Sequence, residues 1–454
     1  MTIDFLCTAL GSLVYFDAAA NRLRHAPAPP RNAALITEDG RSWLACRDGD
    51  VWQRLDRLSA GGHVGLAGDD AAPLLLTTRY LADGLLAPEA NGLSLSAEPD
   101  GGVSLSRPIQ GPRESFAPVS EADLDFLDDI RGRSWVNTSG KTIKDGIRLA
   151  PSFRAQIGDL TVPLRALLAA RHRRHPDGFS VLFDGWKVET LTAFRPLVYF
   201  AAYGKPEAFG SLTLALQALQ EFGRYDGDIL IFCDRSQDQI SSVIPPGLHR
   251  QVRIATAPAQ DVLDTMAVKY RICDMPALAE YRPLLFLRTD VICNRPLEPL
   301  LFALLYANRI CVPLEHDLMG DHNLYGANLF GADDAATKRH QRGFSTGIIG
   351  IPNTQVARRV FPTLLDSLYA LARSLGTRQL SPWHDQPLVN YLLYKTGEAN
   401  VELLTQLVIT PVLFDRPLAD IPRIGFAHFG GGGNMGDPNL PLMRAYLDLL
   451  RNTV

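Results

Sequence analysis

A chain of 454 residues is long enough for two or three domains, each with its own core. With 46% hydrophobic residues, 21% charged residues and a formal net charge of -4, it reads as a globular protein without the basic field that binds nucleic acid through phosphates. No apolar run approaches the roughly 20 residues that cross a bilayer, and Met1-Thr-Ile-Asp-Phe5 lacks a positively charged leader, so a cytoplasmic protein is expected.

Residues 1 to about 120 read as all-β. Gly11-Ser-Leu-Val-Tyr-Phe-Asp17 alternates and ends in turn residues, and Gly92-Leu-Ser-Leu-Ser-Ala97 and Val103-Ser-Leu-Ser106 flank a Glu98-Pro-Asp-Gly-Gly102 turn. Short strands also fit Ser42–Ala45, His63–Leu66 and Pro73–Leu76. Even spacing with Gly and Asp turns predicts a closed barrel or a β-trefoil. From 121 to 190 the helical segments Glu121–Leu127 and Val162–Ala170, the second with Thr161 and Pro163 as start signals, suggest a partly helical connector. The basic run Arg171–Arg174 reads as a solvated helix end. The six cysteines, Cys7, Cys46, Cys233, Cys273, Cys293 and Cys311, show no C-x-x-C pairing and read as reduced core residues.

From 191 onward the pattern alternates. Leu197–Ala202 reads as a buried strand, Ser211–Phe222 as an amphipathic helix, and Asp228–Asp234 as a strand ending in an acid. Gln251–Ala255 is a third strand, Ala267–Leu278 a helix and Pro283–Leu287 a fourth strand. Alternation of this kind predicts a mostly parallel, doubly wound, Rossmann-like α/β sheet whose ligand crevice lies at the strand C-termini. The crevice candidates are therefore Ala201, Ala202 and Tyr203 after the first strand, Asp234 after the second, and Arg288, Thr289 and Asp290 after the fourth. Gly430–Gly433 is no P-loop, since no Lys-Ser or Lys-Thr follows, and no G-x-G-x-x-G follows the first strand.

Asp290 suits a hard cation, and His428 can add an imidazole; equally, Asp290 can cap a strand end while His428 packs in a Gly-rich loop. Arg288 carries a fork suited to phosphate, with a salt bridge to a neighbouring acid as the alternative. Asp385 and Gln386 can instead cap the helix Leu388–Tyr394. Glu315-His-Asp317 with Asp321-His322 can bind metal by composition, though an acceptor-side loop after Ile310–Pro313 is the better expectation.

The order of Leu287-Arg-Thr-Asp-Val291, Phe344-Ser-Thr-Gly347, Trp383-His-Asp-Gln386 and His428-Phe-Gly430 resembles the nucleotide-sugar glycosyltransferases of the A-type fold, closest to the galactosyltransferase and glycogenin group called family eight. The likeness covers residues 195 to 432. It implies transfer of a sugar from a nucleoside diphosphate donor to a glycan or other hydroxyl acceptor, with retention at the anomeric carbon. Asp385 would position the sugar and Gln386 approach the reacting centre, while Ser345, Thr346 and Gly347 hold the donor sugar. Upstream, Arg271 stands near the family's donor-reaching basic residue and is favoured over Lys269.

Departures from the pattern are equally specific. The family's Asp-x-Asp reads Arg288-Thr289-Asp290 here, leaving Asp290 and His428 as the carried-over ligands for Mn or Mg, and the lysine after the late glycines is missing. Neutralisation of the diphosphate without metal is the preferred expectation, through Arg288, Arg271 or the backbone amides of Gly430–Gly433 acting as an anion nest. The competing function is a degenerate transferase domain that binds a nucleotide sugar or glycan without turnover, with a lectin-like N-terminal module.

Overall fold

The structure, a computed structural model, describes residues 1–453 except 49–50, 69–71, 109–110, 144–145, 176, 318–323, 334–341, 379, 381–383, 413–414 and 431–438. It divides into two compact units, Met1–Ala193 and Phe194–Val454.

Twelve strands open the first unit: β1 (Thr2–Thr8), β2 (Leu13–Asp17), β3 (Arg22–Ala26), β4 (Ala33–Glu38), β5 (Arg41–Asp48), β6 (Val51–Leu58), β7 (Val64–Leu66), β8 (Leu75–Tyr80), β9 (Leu86–Ala90), β10 (Leu93–Ala97), β11 (Val103–Arg107) and β12 (Phe116–Val119). Strands β1, β4, β5, β8, β9 and β12 pair antiparallel in that order, and β12 returns to β1, which closes a barrel and leaves no edge on that ring. Alternate residues point inward, so Leu35, Leu44, Cys46, Leu76, Leu86 and Phe116 share one core.

The other six strands form the hairpins β2–β3, β6–β7 and β10–β11. All three turns close alike: Asn21 N–H donates to Ala18 O, Gly62 N–H to Ser59 O and Gly101 N–H to Glu98 O, each donor residue having positive φ. The hairpins then meet backbone to backbone, with Leu23 N–H on Gly62 O at 3.0 Å, Val64 N–H on Asn21 O at 3.1 Å and His25 N–H on Gly101 O at 2.9 Å.

Residues 121–190, read from the sequence as a partly helical connector, fall within the first compact unit. The helix Glu121–Arg131, capped by Ser120 accepting from Asp123 N–H, and the helix Leu164–Ala170 pack with a four-stranded and a three-stranded sheet. Leu124, Phe126, Trp135, Phe179 and Leu191 bury themselves in one core with Phe5, Cys7 and Leu13 of the barrel strands. Outward-facing apolar residues of the barrel need a cover, and this segment supplies it. The second helix begins only at Leu164, because Leu160–Pro163 is a strand paired with Arg154–Ile157; Thr161 and Pro163 belong to that ladder rather than to a helix start.

In the second unit a seven-stranded sheet runs in the order Val252–Thr256, Asp228–Cys233, Leu197–Ala202, Leu284–Leu287, Ile348–Ile351, Ile310–Cys311 and Ala399–Asn400. The first four are parallel, and Ile348–Ile351 runs antiparallel to both neighbours. Since Leu197 pairs with both Asp228 and Leu284, the C-termini of three adjacent strands come out on one edge. After Leu287 the chain turns through Arg288–Asp290 into Val291–Cys293, which leaves this sheet and pairs with Phe426–His428.

The predicted helix from Ala267 to Leu278 takes a different form. An α-helix spans Val262–Ala267, started by Asp261 accepting from Asp264 N–H, and 3-10 turns follow over Val268–Asp274 and Pro276–Leu278. Pro276 has no N–H to continue a helix. The tighter winding lets Lys269, Tyr270, Ile272 and Cys273 all turn inward while Arg271 points out.

Two outcomes test this architecture. Cutting the chain after residue 120 strips the cover from Phe5, Cys7 and Leu13, so a 1–120 fragment is expected to aggregate or expose apolar surface to a reporter dye, whereas a 1–193 fragment unfolds cooperatively in urea. At Gly62, with φ +76°, a Cβ would lie 2.7 Å from the Val103 carbonyl oxygen, while Gly92, with φ +77°, has nothing within 4 Å. Gly92→Ala is expected to cost about 1 kcal/mol for the left-handed backbone alone. Gly62→Ala should cost at least about 2 kcal/mol by urea denaturation, and equal costs would show that the hairpins do not meet as described.

Candidate functional site

The parallel register brings the ends of the first, second and fourth strands in chain order together. Ala202 is buried, Ala201 and Tyr203 are half-buried, and Asp234 is exposed with its carboxylate accepting from Gly204 N–H at 3.1 Å. The Tyr203 hydroxyl is buried without a hydrogen-bond partner. Burial pushes its pKa up, helped by Cys233 and Asp234 and opposed by the nearby charge of Arg271. Arg271 itself is exposed and donates to Tyr369 Oη at 3.0 Å.

Lys269, rather than Arg271, reaches into the site. Its Nζ lies 2.8 Å from Asp385 Oδ2 and donates to the Thr346 carbonyl at 3.3 Å, and both side chains of the ion pair are 4% exposed. Tyr270 donates its hydroxyl to the same Asp385 oxygen, and Tyr199, on the first strand, donates to the Lys269 carbonyl at 3.2 Å. Burial pulls the Lys269 ammonium pKa down, with Asp385 opposing. For Asp385, burial pushes upward, but Lys269 and the Tyr270 hydroxyl outweigh it and hold the carboxyl below its ordinary 3.8.

Asp385 precedes the helix Gln386–Thr396 yet makes no side-chain cap, so the capping alternative does not describe it. Gln386 Oε1 accepts from Thr346 N–H at 3.2 Å. Asn390 clamps the same helix to Phe344, accepting from its N–H and donating to its carbonyl, each at 2.9 Å. Ser345 is buried, with Oγ accepting from Gly347 N–H at 3.2 Å.

Gly347 carries the contacts onward, since its carbonyl accepts from Arg288 N–H at 2.9 Å. Arg288 Nη2 lies 2.6 Å from Asp290 Oδ2, which is the salt bridge of the two alternatives read from the sequence. Arg288 is 42% exposed and Asp290 4%; Thr289, between them, is half-buried. Burial pushes the Asp290 carboxyl up, but Arg288 and then His428 hold it well below the usual carboxylate range. The other oxygen, Oδ1, faces His428 Nε2 at 3.6 Å, just outside hydrogen-bond length, and it and both imidazole nitrogens are buried without a hydrogen-bond partner.

His428 ends a strand rather than resting in a loop, and Val291 pairs with it. A Cβ on Gly347 or on Gly430 would lie 2.6 Å from the imidazole, so only glycine leaves it room. On the ring's other side Glu315 Oε1 stands 4.0 Å from Nδ1. Glu315 lies on the strand Leu314–Asp317, paired with Arg342–Phe344, where a loop was expected. Asp321, His322 and Gly431–Gly433, and with them most of the proposed anion nest, lie outside the described residues.

Lys269, Thr346, Gln386, Gly347, Arg288, Asp290 and His428 thus form one continuous series of contacts. Tyr270 was missed as a site residue, Glu315 was assigned to an acceptor-side loop, and Lys269 was passed over for Arg271, although a single lysine inside the apolar run Ala267-Val-Lys-Tyr-Arg-Ile272 signals a buried partner. No helix among the described residues is long and apolar enough to cross a membrane.

No family model matches the sequence, and no curated protein matches it. Among solved structures the chain is similar to galactosyltransferase LgtC in complex with donor and acceptor sugar analogues, at 13% identity and a TM-score of 0.40, over 57% of this chain and 95% of that one. Mouse xyloside xylosyltransferase 1 is similar at 13% identity and a TM-score of 0.37, over 54% of this chain and 99% of that one. The glycosyltransferase GlyE of Streptococcus pneumoniae is similar at 15% identity and a TM-score of 0.37, over 57% and 62%.

Removing one partner of the buried pair leaves the other as an uncompensated charge. Lys269→Met is expected to destabilise the chain by about 3 kcal/mol or more. The double variant with Asp385→Asn should lose clearly less than the sum of the singles in urea; additive losses would mean that the two groups are not coupled. Because Asp385 is held below 3.8, its stabilising contribution is complete above that value and is lost as pH falls through the folded-state pKa. Asp385→Asn should therefore flatten the acid side of the stability profile.

Proposed function

We propose that the chain transfers a sugar from a nucleoside diphosphate donor to a hydroxyl acceptor, with residues 194–454 forming an A-type glycosyltransferase domain. The observation that carries this reading is the convergence at one sheet edge of segments far apart in sequence, Lys269, Arg288–Asp290, Thr346–Gly347, Asp385–Gln386 and His428, in the order in which the motifs resemble family eight. Open parallel sheets bind ligands at that edge.

Chemically, the leaving diphosphate gains charge as the glycosidic bond breaks, so fixed positive groups aimed at it lower the barrier. Arg288 stands at the half-exposed side of the series. Asp385, ionised and fixed by Lys269 and Tyr270, offers an acceptor for a sugar hydroxyl. Gln386 has its Oε1 committed to Thr346 and its amide N–H₂ group free of protein partners among the described residues, which leaves that group available to the anomeric side of a bound sugar. Retention at the anomeric carbon belongs to this reading. For residues 1–120 we infer a β-trefoil, supported by the six-strand ring and its three meeting hairpins, with a role in acceptor binding or assembly.

A second reading keeps its place because Arg288 stands where a carboxylate would: the domain holds a nucleotide sugar or glycan without turnover. Incubation with a panel of nucleotide sugars, recording release of nucleoside diphosphate, separates the two. Release with at least one donor is expected, and binding without release would transfer the assignment to the second reading. With the donor so found, Gln386→Ala should lower turnover about a hundredfold while leaving the fold and donor affinity near wild type. Unchanged turnover would remove Gln386 from the reacting centre.

A further inference from the structure

We propose that this chain neutralises the donor diphosphate with the Arg288 guanidinium instead of a divalent cation, and that Asp290 serves to orient that arginine. The inference rests on the glycosyltransferase reading and concerns how the same site handles charge.

A Mg²⁺ or Mn²⁺ ion here would draw on Asp290 and His428. Such ions want several oxygen donors, including one or two carboxylates from the protein. Asp290 has only Oδ1 free of a hydrogen bond, because Oδ2 already accepts from Arg288 at 2.6 Å. Glu315 cannot complete a set: it approaches Nδ1 of His428, whereas Asp290 faces Nε2. Among the described residues no group of three His, Cys, Asp or Glu side chains is placed to hold a metal ion. A permanent cation beside the one free oxygen also repels a second cation. The residues do not fit a resident divalent ion.

They do fit a fixed guanidinium. Arg288 spends one of its side-chain donors on Asp290, and its remaining donors have no partner among the described residues in a side chain 42% exposed. Its backbone is pinned by the bond from Arg288 N–H to Gly347 O, and Asp290 is pinned by its own carbonyl, which accepts from Phe429 N–H at 2.9 Å. A planar fork held at both its root and one tip can present paired N–H groups to phosphate oxygens without reorganising. Asp290 keeps the aim, as a carboxylate buried against Arg288 on one side and His428 on the other.

The test is calorimetric titration of the intact chain with UDP, GDP and ADP, each in EDTA and in Mn²⁺, beside paramagnetic resonance of Mn²⁺ alone with the protein. The wild type is expected to bind one of the three diphosphates with affinities within about threefold in the two buffers, and to leave the free Mn²⁺ signal unchanged. Arg288→Ala should weaken binding about tenfold or more in both buffers. Arg288→Asp should bind only with Mn²⁺ present. Wild-type binding that needs Mn²⁺ and removes the free Mn²⁺ signal would overturn the proposal. If the variants fail to fold, Arg288→Lys, which keeps the charge and loses the fork, and the wild-type comparison decide it. No binding of any diphosphate in either buffer would overturn the glycosyltransferase reading, and this inference with it.

Discussion

The contact on which the sheet edge depends is the buried pair of Lys269 and Asp385. Placing an ammonium and a carboxylate together at 4% exposure costs desolvation that their attraction only roughly offsets, so the pair is poor evidence for net stability. What it does provide is position. Lys269 also holds the Thr346 carbonyl, Tyr270 holds the same carboxylate oxygen, and Tyr199 fixes the Lys269 backbone, so the 3-10 segment, the first strand, the Gly347 turn and the start of the Gln386 helix are locked by one charge. A hydrophobic replacement could fill that volume but could not point at a hydroxyl.

The fold converts this local lock into a site because parallel strands in register end together. Had Leu284–Leu287 run antiparallel to Leu197–Ala202, Arg288 and Asp290 would emerge on the opposite edge from Ala202 and Asp234. The antiparallel neighbour Ile348–Ile351 does the complementary task, entering from that edge so that Ser345–Gly347 arrives beside Arg288. Glycine then sets the spacing. At Gly347 and Gly430 the imidazole of His428 occupies the volume that any Cβ would take, which lets a strand from the far end of the chain deliver its last residue against Asp290.

Much of this was legible in the residues. Leu197–Ala202, Asp228–Cys233 and Leu284–Leu287 are continuous apolar runs with charged or turn residues at their ends, the signature of strands buried on both faces, and their order placed the crevice. Three features were not legible, for separate reasons. Helical periodicity over 267–278 concealed a change to three residues per turn, which reversed the roles of Lys269 and Arg271. The segment 121–190 looked like a connector because its apolar residues face the outside of the barrel, a surface that exists only after the barrel has closed. The likeness among the hairpins lies in backbone geometry at Asn21, Gly62 and Gly101, two residue types meeting one φ requirement, and leaves little trace in side-chain identity.

Charge at the Arg288–Asp290 turn connects these levels. A metal-dependent site draws its positive charge from solution with the donor, so the empty crevice carries a carboxylate pair that repels phosphate. On the proposed reading the charge here is covalently part of the chain, and the single remaining carboxylate, Asp290, already holds the arginine in place. On that reading electrostatic preorganisation would be greater, because no ion would have to be desolvated and docked before the donor binds. The counterpart lies at the end of the cycle. A cation bound to the diphosphate can leave with it, whereas a guanidinium stays, so on this reading separation of the product would have to break the Arg288 contact outright. Asp290 would give that step a route, since the donors a departing phosphate vacates belong to a side chain 42% exposed while the Nη2 contact to Asp290 would persist, so the arginine would not become an unpaired buried charge.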